Sequence, residues 1–294
     1  MKELVTPRQL AQAIDVSESS LKRWCDKGII PVVYTAGGHR RIPVNGVLTF
    51  LRESGHEIRN PEILGLPAAT TGGGARKIAE ERSRLILALI AGEEEVGIEI
   101  ALNLYLANHP MSTICDDVLA ASFHEIGDRW GCGSVAVYQE RRSCELCHRI
   151  LHELRRAMPE LPVNAPLAIG GTLDGDPYTL ASSMAELVVR STGWRACSLG
   201  NMLPFDSLAR AVCDTRAQLL WVSVSAIRDQ DRFASEFNNL ANVALQNQVA
   251  LVVGGKALDE STRMQMKYTS FCDNFQHLEI AARQTLQLLG YRPT

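Results

Sequence analysis

The chain changes texture once, at Pro159, Pro162 and Pro166, and that change limits what it can fold into. From about residue 75 to 158 the apolar residues recur at helical spacing. Breaks fall only near Gly92, at His109 and Pro110, and around Gly131, Cys132 and Gly133, so about four helices are expected. After Pro166 four short apolar runs follow, at 167–171, 196–200, 219–225 and 249–255, each trailed by a helical stretch; the last spans about 274–289. Buried strands separated by helices of about 10–15 residues predict a doubly wound parallel sheet. At 294 residues the chain is too long for one ordinary core, and two or three domains are expected.

Charge divides the chain in a second way. Residues 1–60 carry nine Lys/Arg against six Asp/Glu, a net +3, and the remainder carries 21 against 27, a net −6. A basic head on an acidic body suits a protein that touches a polyanion with one end. No apolar run reaches 18 residues and no charged-then-apolar leader is present, so neither a spanning helix nor export is indicated. The eight cysteines are scattered, which fits reduced thiols in the cytoplasm.

The head is the most explicit part. Thr6, Pro7, Arg8 and Gln9 form a capping box with Pro at the first helical position. Leu10, Ala13 and Ile14 make that helix's apolar stripe. Ser17 caps a second helix that stops at Gly28, with Leu21, Trp24 and Cys25 on one face and Ser19, Ser20, Lys22, Arg23 and Lys27 on the others. One apolar side to anchor and one donor-rich side to present is what a major-groove reader needs. Val32, Val33 and Tyr34, the turn through Gly37 and Gly38, and then His39, Arg40, Arg41 and Ile42 predict a hairpin wing with a basic strand. Lys22 and Arg23 are the expected base-proximal residues and Arg40 and Arg41 the expected backbone contacts; Ser19, Lys27 and His39 complete the expected DNA-binding set. Each phosphate contact adds roughly 0.9 to the salt slope, so one head of this charge binds weakly and useful affinity implies at least a dimer.

The string Leu21, Lys22, Arg23, Trp24, then Gly28, Ile29, Ile30, Pro31, then Gly37, Gly38, His39, Arg40, Arg41 closely resembles the winged helix-turn-helix of MerR-type regulators. The rest resembles the cobalamin-binding module of light-responsive members of that family (CarH-like), shared more distantly with corrinoid methyltransferases. The matching residues are Gly127, Asp128, Arg129 and Trp130 with Glu140; Leu199, Gly200, Leu203 and Pro204; Ser223, Val224 and Ser225; and Gly254 with Gly255. The resemblance implies that Trp130 and Glu140 lie over the upper corrin face, and that the Ser223/Ser225 and Gly254/Gly255 loops cradle the nucleotide tail at the strand ends, as the general rule for open α/β sheets has it. The expected organisation is a winged helix-turn-helix over 1–55, a flexible linker over 56–75, a four-helix bundle over 76–160 and a Rossmann-like domain of cobalamin-binding type over 163–294. The fold class is α/β with all-α parts.

Two departures bear on the cofactor. The loop that supplies a lower cobalt ligand in relatives runs Asp176, Pro177, Tyr178, with a phenol in place of imidazole, and Arg141 stands where a histidine often follows the upper-face glutamate. Three outcomes stay open: cobalamin bound with its own base or water below, another flat or tailed ligand, or an empty scaffold for oligomerisation. Cys144, Cys147 and His148 also spell the C-x-x-C-H string of haem attachment, but that chemistry needs export. A zinc site with all its ligands on one helix, His148 and His152 included, is geometrically awkward, so the cysteines are read as small core filler and no metal is assigned. The resulting expectation is a non-enzymatic, operator-binding repressor, assembled as a dimer or tetramer and controlled by its C-terminal module, with no membrane partner. The alternatives are a corrinoid methyl carrier and an excisionase-like architectural protein.

Overall fold

The computed structural model describes residues 1–71 and 77–291, which form two compact units, Met1–Glu160 and Leu161–Thr294. Among the described residues no helix is long and apolar enough to cross a membrane.

The first unit opens with β1 (Leu4–Val5), α1 (Pro7–Ala13), α2 (Glu18–Asp26), β2 (Val33–Tyr34), β3 (Arg40–Pro43) and α3 (Val44–Ser54). The capping box forms as its residues dictate: Gln9 N donates to Thr6 Oγ1, and Thr6 N donates to Gln9 Oε1. Ser17 accepts from Ser20 N and starts α2. The wing strand β3 lies between β1 and β2, antiparallel to both. Leu10, Leu21, Ile30, Ile42 and Leu48 are fully buried beneath them, and Trp24 packs on Phe50 with ring centroids 5.1 Å apart.

Four helical rods follow: α4 (Ile78–Ala91), α5 (Glu94–Leu106), a continuous rod of α6 (Met111–Thr113), a π-helical turn (Ile114–Ala120) and α7 (Ala121–Gly131), and then α8 (Val137–Ala157). Their core is built from residues such as Leu85, Leu89, Ile100, Leu104, Ile114, Ile126, Ile150 and Leu154. Cys147 is buried in it and Cys144 half-buried, in keeping with apolar filler; burial pushes the Cys147 thiol well up and the Cys144 thiol up to about 12.

The stretch that composition marks as a flexible linker, 56–75, takes a different form where it is described, and residues 72–75 lie outside the described residues. Ile58, Pro61, Leu64 and Leu66 are buried, and Pro61–Leu64 forms a 3-10 turn. The segment is strapped to the head: Arg59 N and Asn60 N donate to Ala13 O at 2.8 and 3.0 Å, and Lys2 N donates to Leu64 O at 3.0 Å. It is strapped to the bundle through Asn103, whose Oδ1 accepts from Thr71 N at 3.0 Å and whose Nδ2 donates to Ala69 O at 3.2 Å. The head also meets the bundle directly. Arg52 of α3 lies 4.2 Å over the Tyr105 ring, donates to Asn108 Oδ1 at 3.0 Å and His109 O at 3.2 Å, and its carbonyl accepts from Asn108 Nδ2 at 2.7 Å. The Met1 ammonium sits 3.4 Å from Glu153 of α8, and Arg156 donates to Met1 O at 2.6 Å. Prolines and glycines limit backbone conformation, but four apolar side chains in that stretch give it a place to pack.

The second unit is a five-stranded parallel sheet, β4 (Leu167–Thr172), β5 (Arg195–Ser198), β6 (Leu219–Ser223), β7 (Ala250–Gly254) and β8 (Ser270–Cys272), in the order β5-β4-β6-β7-β8. Between them run α9 (Leu180–Ser191), α10 (Phe205–Thr215), α11 (Gln230–Gln246) and α12 (Glu260–Arg263), and α13 (Phe275–Leu288) closes the chain. Strand β8 was not among the four expected. It is a three-residue edge strand, too short to print an apolar run. One sheet face carries Ile169, Leu220, Val222, Leu251 and Val253 against α10 and α11. Residues of opposite parity on these strands, among them Ala168, Gly170, Trp221 and Val252, therefore face α9 and α13. The order reverses between β4 and β6, which is the switch point where open α/β sheets place ligands.

Candidate nucleic-acid interface and ligand site

In the head, Ser19, Lys22, Arg23 and Lys27 are exposed on or just after α2, and Leu21 and Cys25 on its other side are buried. Ser19 Oγ shares a hydrogen bond with Ser17 Oγ at 2.9 Å, at the cap. His39 is exposed at the wing turn, held by its backbone to Thr35. Arg40 is engaged within the head: it pairs with Asp26 of α2 at 2.9 Å and reaches the Tyr34 hydroxyl at 3.5 Å. The Tyr34 and Asp26 contacts both hold the guanidinium in its charged form. Arg40 thus braces the wing against α2. Arg41 is half-buried, with a guanidinium nitrogen on the Arg40 carbonyl at 3.2 Å. The docked strap leaves α2 and the wing turn open to solvent.

The ligand candidates fall in two groups, one per unit. In the first, Trp130 ends α7 with half its surface exposed, a flat apolar ring open to a partner. Glu140 sits in the first turn of α8, 3.4 Å from Arg141 and accepting from the Cys144 thiol at 3.5 Å.

In the second, the strand ends lie closed on one another. Asp176 is fully buried; its Oδ1 accepts from Tyr178 N at 3.1 Å and its Oδ2 from Ser225 N at 2.6 Å. It therefore ties the loop after β4 to the loop after β6 across the switch point. It does not cap α9, whose N-cap is Thr179. Thr172 Oγ1 donates to the Asp176 carbonyl at 2.6 Å. Tyr178 is half exposed with the Lys256 ammonium 5.9 Å from its ring centroid. Ser223 is buried at the end of β6. Gly254 and Gly255 are packing glycines: a Cβ at Gly254 would come within 2.6 Å of the Cys272 carbonyl, and one at Gly255 would strike the Val224 backbone. Reasoning from sequence noted the small Ser182 and Ser183 beside this site but missed Trp221 on β6, whose Nε1 donates to Ser182 Oγ of α9 at 3.1 Å in the interior. Among the described residues no group of three or more His, Cys, Asp or Glu side chains is arranged to hold a metal ion.

Two family models match the chain, a helix-turn-helix domain over residues 4–55 and a B12 binding domain over residues 81–155. The HTH-type transcriptional repressor CarH of Myxococcus xanthus is 27% identical over 242 residues, covering 77% of this chain and 78% of its own. The chain carries a helix-turn-helix domain followed by a B12 binding domain, and it is similar over most of its length to that repressor. Among solved structures, the monomethylamine corrinoid protein of Methanosarcina barkeri superposes with a TM-score of 0.59 at 15% identity, over 71% of this chain and 99% of its own. That likeness is one of fold.

Whether the side chains suit the corrinoid that a B12 binding domain implies differs between the units. The first offers an open aromatic ring at Trp130. The second does not fit a nucleotide tail let into the sheet: its switch point is laced by Asp176 and filled below by Trp221, and no imidazole occupies the Tyr178 position.

Proposed function

We propose that the chain is an operator-binding transcriptional repressor, and that the parts behind the head govern self-association, which in turn sets operator affinity. The observation that carries the reading is the exposed cationic face of α2, Lys22 and Arg23 with Lys27 at its end, beside a braced basic wing, on a chain similar over most of its length to a transcriptional repressor. Lys22 and Arg23 face base edges with Ser19 beside them, and His39 and Arg41 face phosphates. Arg40 sets the wing's angle. So few cations on one head call for at least two heads on one duplex, where linkage multiplies weak contacts. The partner is double-stranded DNA, the setting is the cytoplasm, and the chain catalyses no reaction.

Cobalamin is the cofactor that the B12 binding domain match supports, seated on the helical unit by Trp130 and Glu140. The test is fluorescence anisotropy of the full chain on DNA from upstream of its own gene against a shuffled duplex across a salt series. The wild type should prefer the former, with affinity falling steeply with salt, and Lys22→Ala with Arg23→Ala should lose roughly tenfold or more, at about 1–3 kcal/mol per good base contact. A wild type that treats both duplexes alike at every salt concentration refutes it.

A further inference from the structure

In an open α/β sheet the natural entrance for a ligand is the crevice at the strand ends where the order reverses. Here that crevice lies between β4 and β6 and is closed at two depths. At the mouth the Asp176 carboxylate accepts from amides on both flanking loops, so each of its oxygens is engaged in holding them together. Gly175 adds to the closure, since a Cβ there would stand 2.6 Å from the Arg228 side chain of the β6 loop. One layer below, on the face toward α9, Trp221 lies over its cross-strand neighbour Gly170, where even a methyl group would strike the indole. The ring is 2% exposed, and its single N–H is bonded to Ser182 of α9, so the side chain joins sheet and helix where an elongated group would have to slide between them. The groove that this unit does keep lies on the opposite face, between α10 and α11, and is lined in part by Phe205, Phe233 and Arg232.

We propose that Trp221 is a specificity-determining residue that bars the nucleotide tail of a cobalamin from the α/β unit, so that this chain does not distinguish a complete cobalamin from a tail-less corrin. A corrinoid held by this chain keeps its tail outside the sheet. The arrangement is self-consistent: a tail drawn into the sheet leaves the cobalt without its own base below, and this chain has no histidine at Tyr178 to replace it. The inference is independent of the DNA-binding reading, and loss of operator binding leaves it untouched.

The test titrates the full chain in the dark with adenosylcobalamin and with adenosylcobinamide, which lacks the tail, following the corrin absorbance and the heat of binding. The wild type should show no preference beyond about threefold, whether both ligands bind or neither does. A folded Trp221→Ala variant should gain at least tenfold for adenosylcobalamin and nothing for adenosylcobinamide. A wild type that prefers adenosylcobalamin by tenfold or more, or that turns its bound spectrum to the base-off form, overturns the proposal. So does a folded Trp221→Ala that gains nothing. If Trp221→Ala does not fold, Trp221→Leu is titrated in its place: the same gain for adenosylcobalamin alone is expected, and a folded Trp221→Leu that gains nothing overturns the proposal.

Discussion

Replacing the fully buried Asp176 with Ala would leave two partly buried backbone amides, on Tyr178 and Ser225, without their acceptor. Hydrogen bonds to charged groups are worth roughly 1.5–3 kcal/mol each, so the α/β unit should lose about 3 kcal/mol, seen as a lower urea midpoint with unchanged slope. His148 makes a second residue-level case. Burial in the helical unit lowers its pKa from the usual 6.5, with Glu145 pulling weakly the other way. A group that binds its proton more weakly when folded stabilises the fold fully above 6.5, and that contribution is lost as pH falls through 6.5 toward its lowered folded value. The thermal midpoint of the helical unit should therefore drop between about pH 7.5 and 5, and His148→Gln should drop less. At this scale the sequence was readable where a side chain acts on its own neighbours: Thr6 and Gln9 cap a helix three residues apart. It was opaque where the partner is distant. Nothing near Arg40 announces Asp26, and nothing in the run Leu219, Leu220, Trp221, Val222 and Ser223 says that the indole will rest on Gly170 of another strand.

At the scale of elements, the segment 56–71 departs furthest from its composition. Pro61, Gly65 and Pro67 do break regular structure, as expected, yet Ile58, Leu64 and Leu66 find a hydrophobic seat against α1 and the bundle. Whether a sparse apolar residue is buried depends on what folds next to it, and no periodicity encodes that. The four parallel strands and their helices were legible because each carries its own run. The edge strand β8 was not, with only Phe271 and Cys272 to mark it. The clamp between α3 and the bundle can be opened by one change. Arg52→Ala removes the ring stacking and the two side-chain hydrogen bonds at Asn108 and His109 together. Limited proteolysis of the full chain should then cut within 56–71 at least tenfold faster, with the thermal midpoint of the α/β unit unchanged. Equal cleavage rates would mean that the clamp contributes nothing to holding the segment.

At the scale of the whole molecule, head and bundle share one compact unit, and this bears on how copies would sit on DNA. A head on a slack tether tolerates half-sites at many separations; a head bolted to its bundle does not. Inserting about five base pairs between two half-sites turns the second by half a helical turn, and this chain should then lose most of its cooperative gain, whereas an insertion of about ten should restore much of it. Gel-shift titration of such spaced duplexes with the full chain would show it, and a smooth decline with spacing would contradict it. If copies pair on DNA as proposed, the bolt formed by Arg52, Asn108 and Tyr105 makes each a caliper jaw, set by the bundle that carries it.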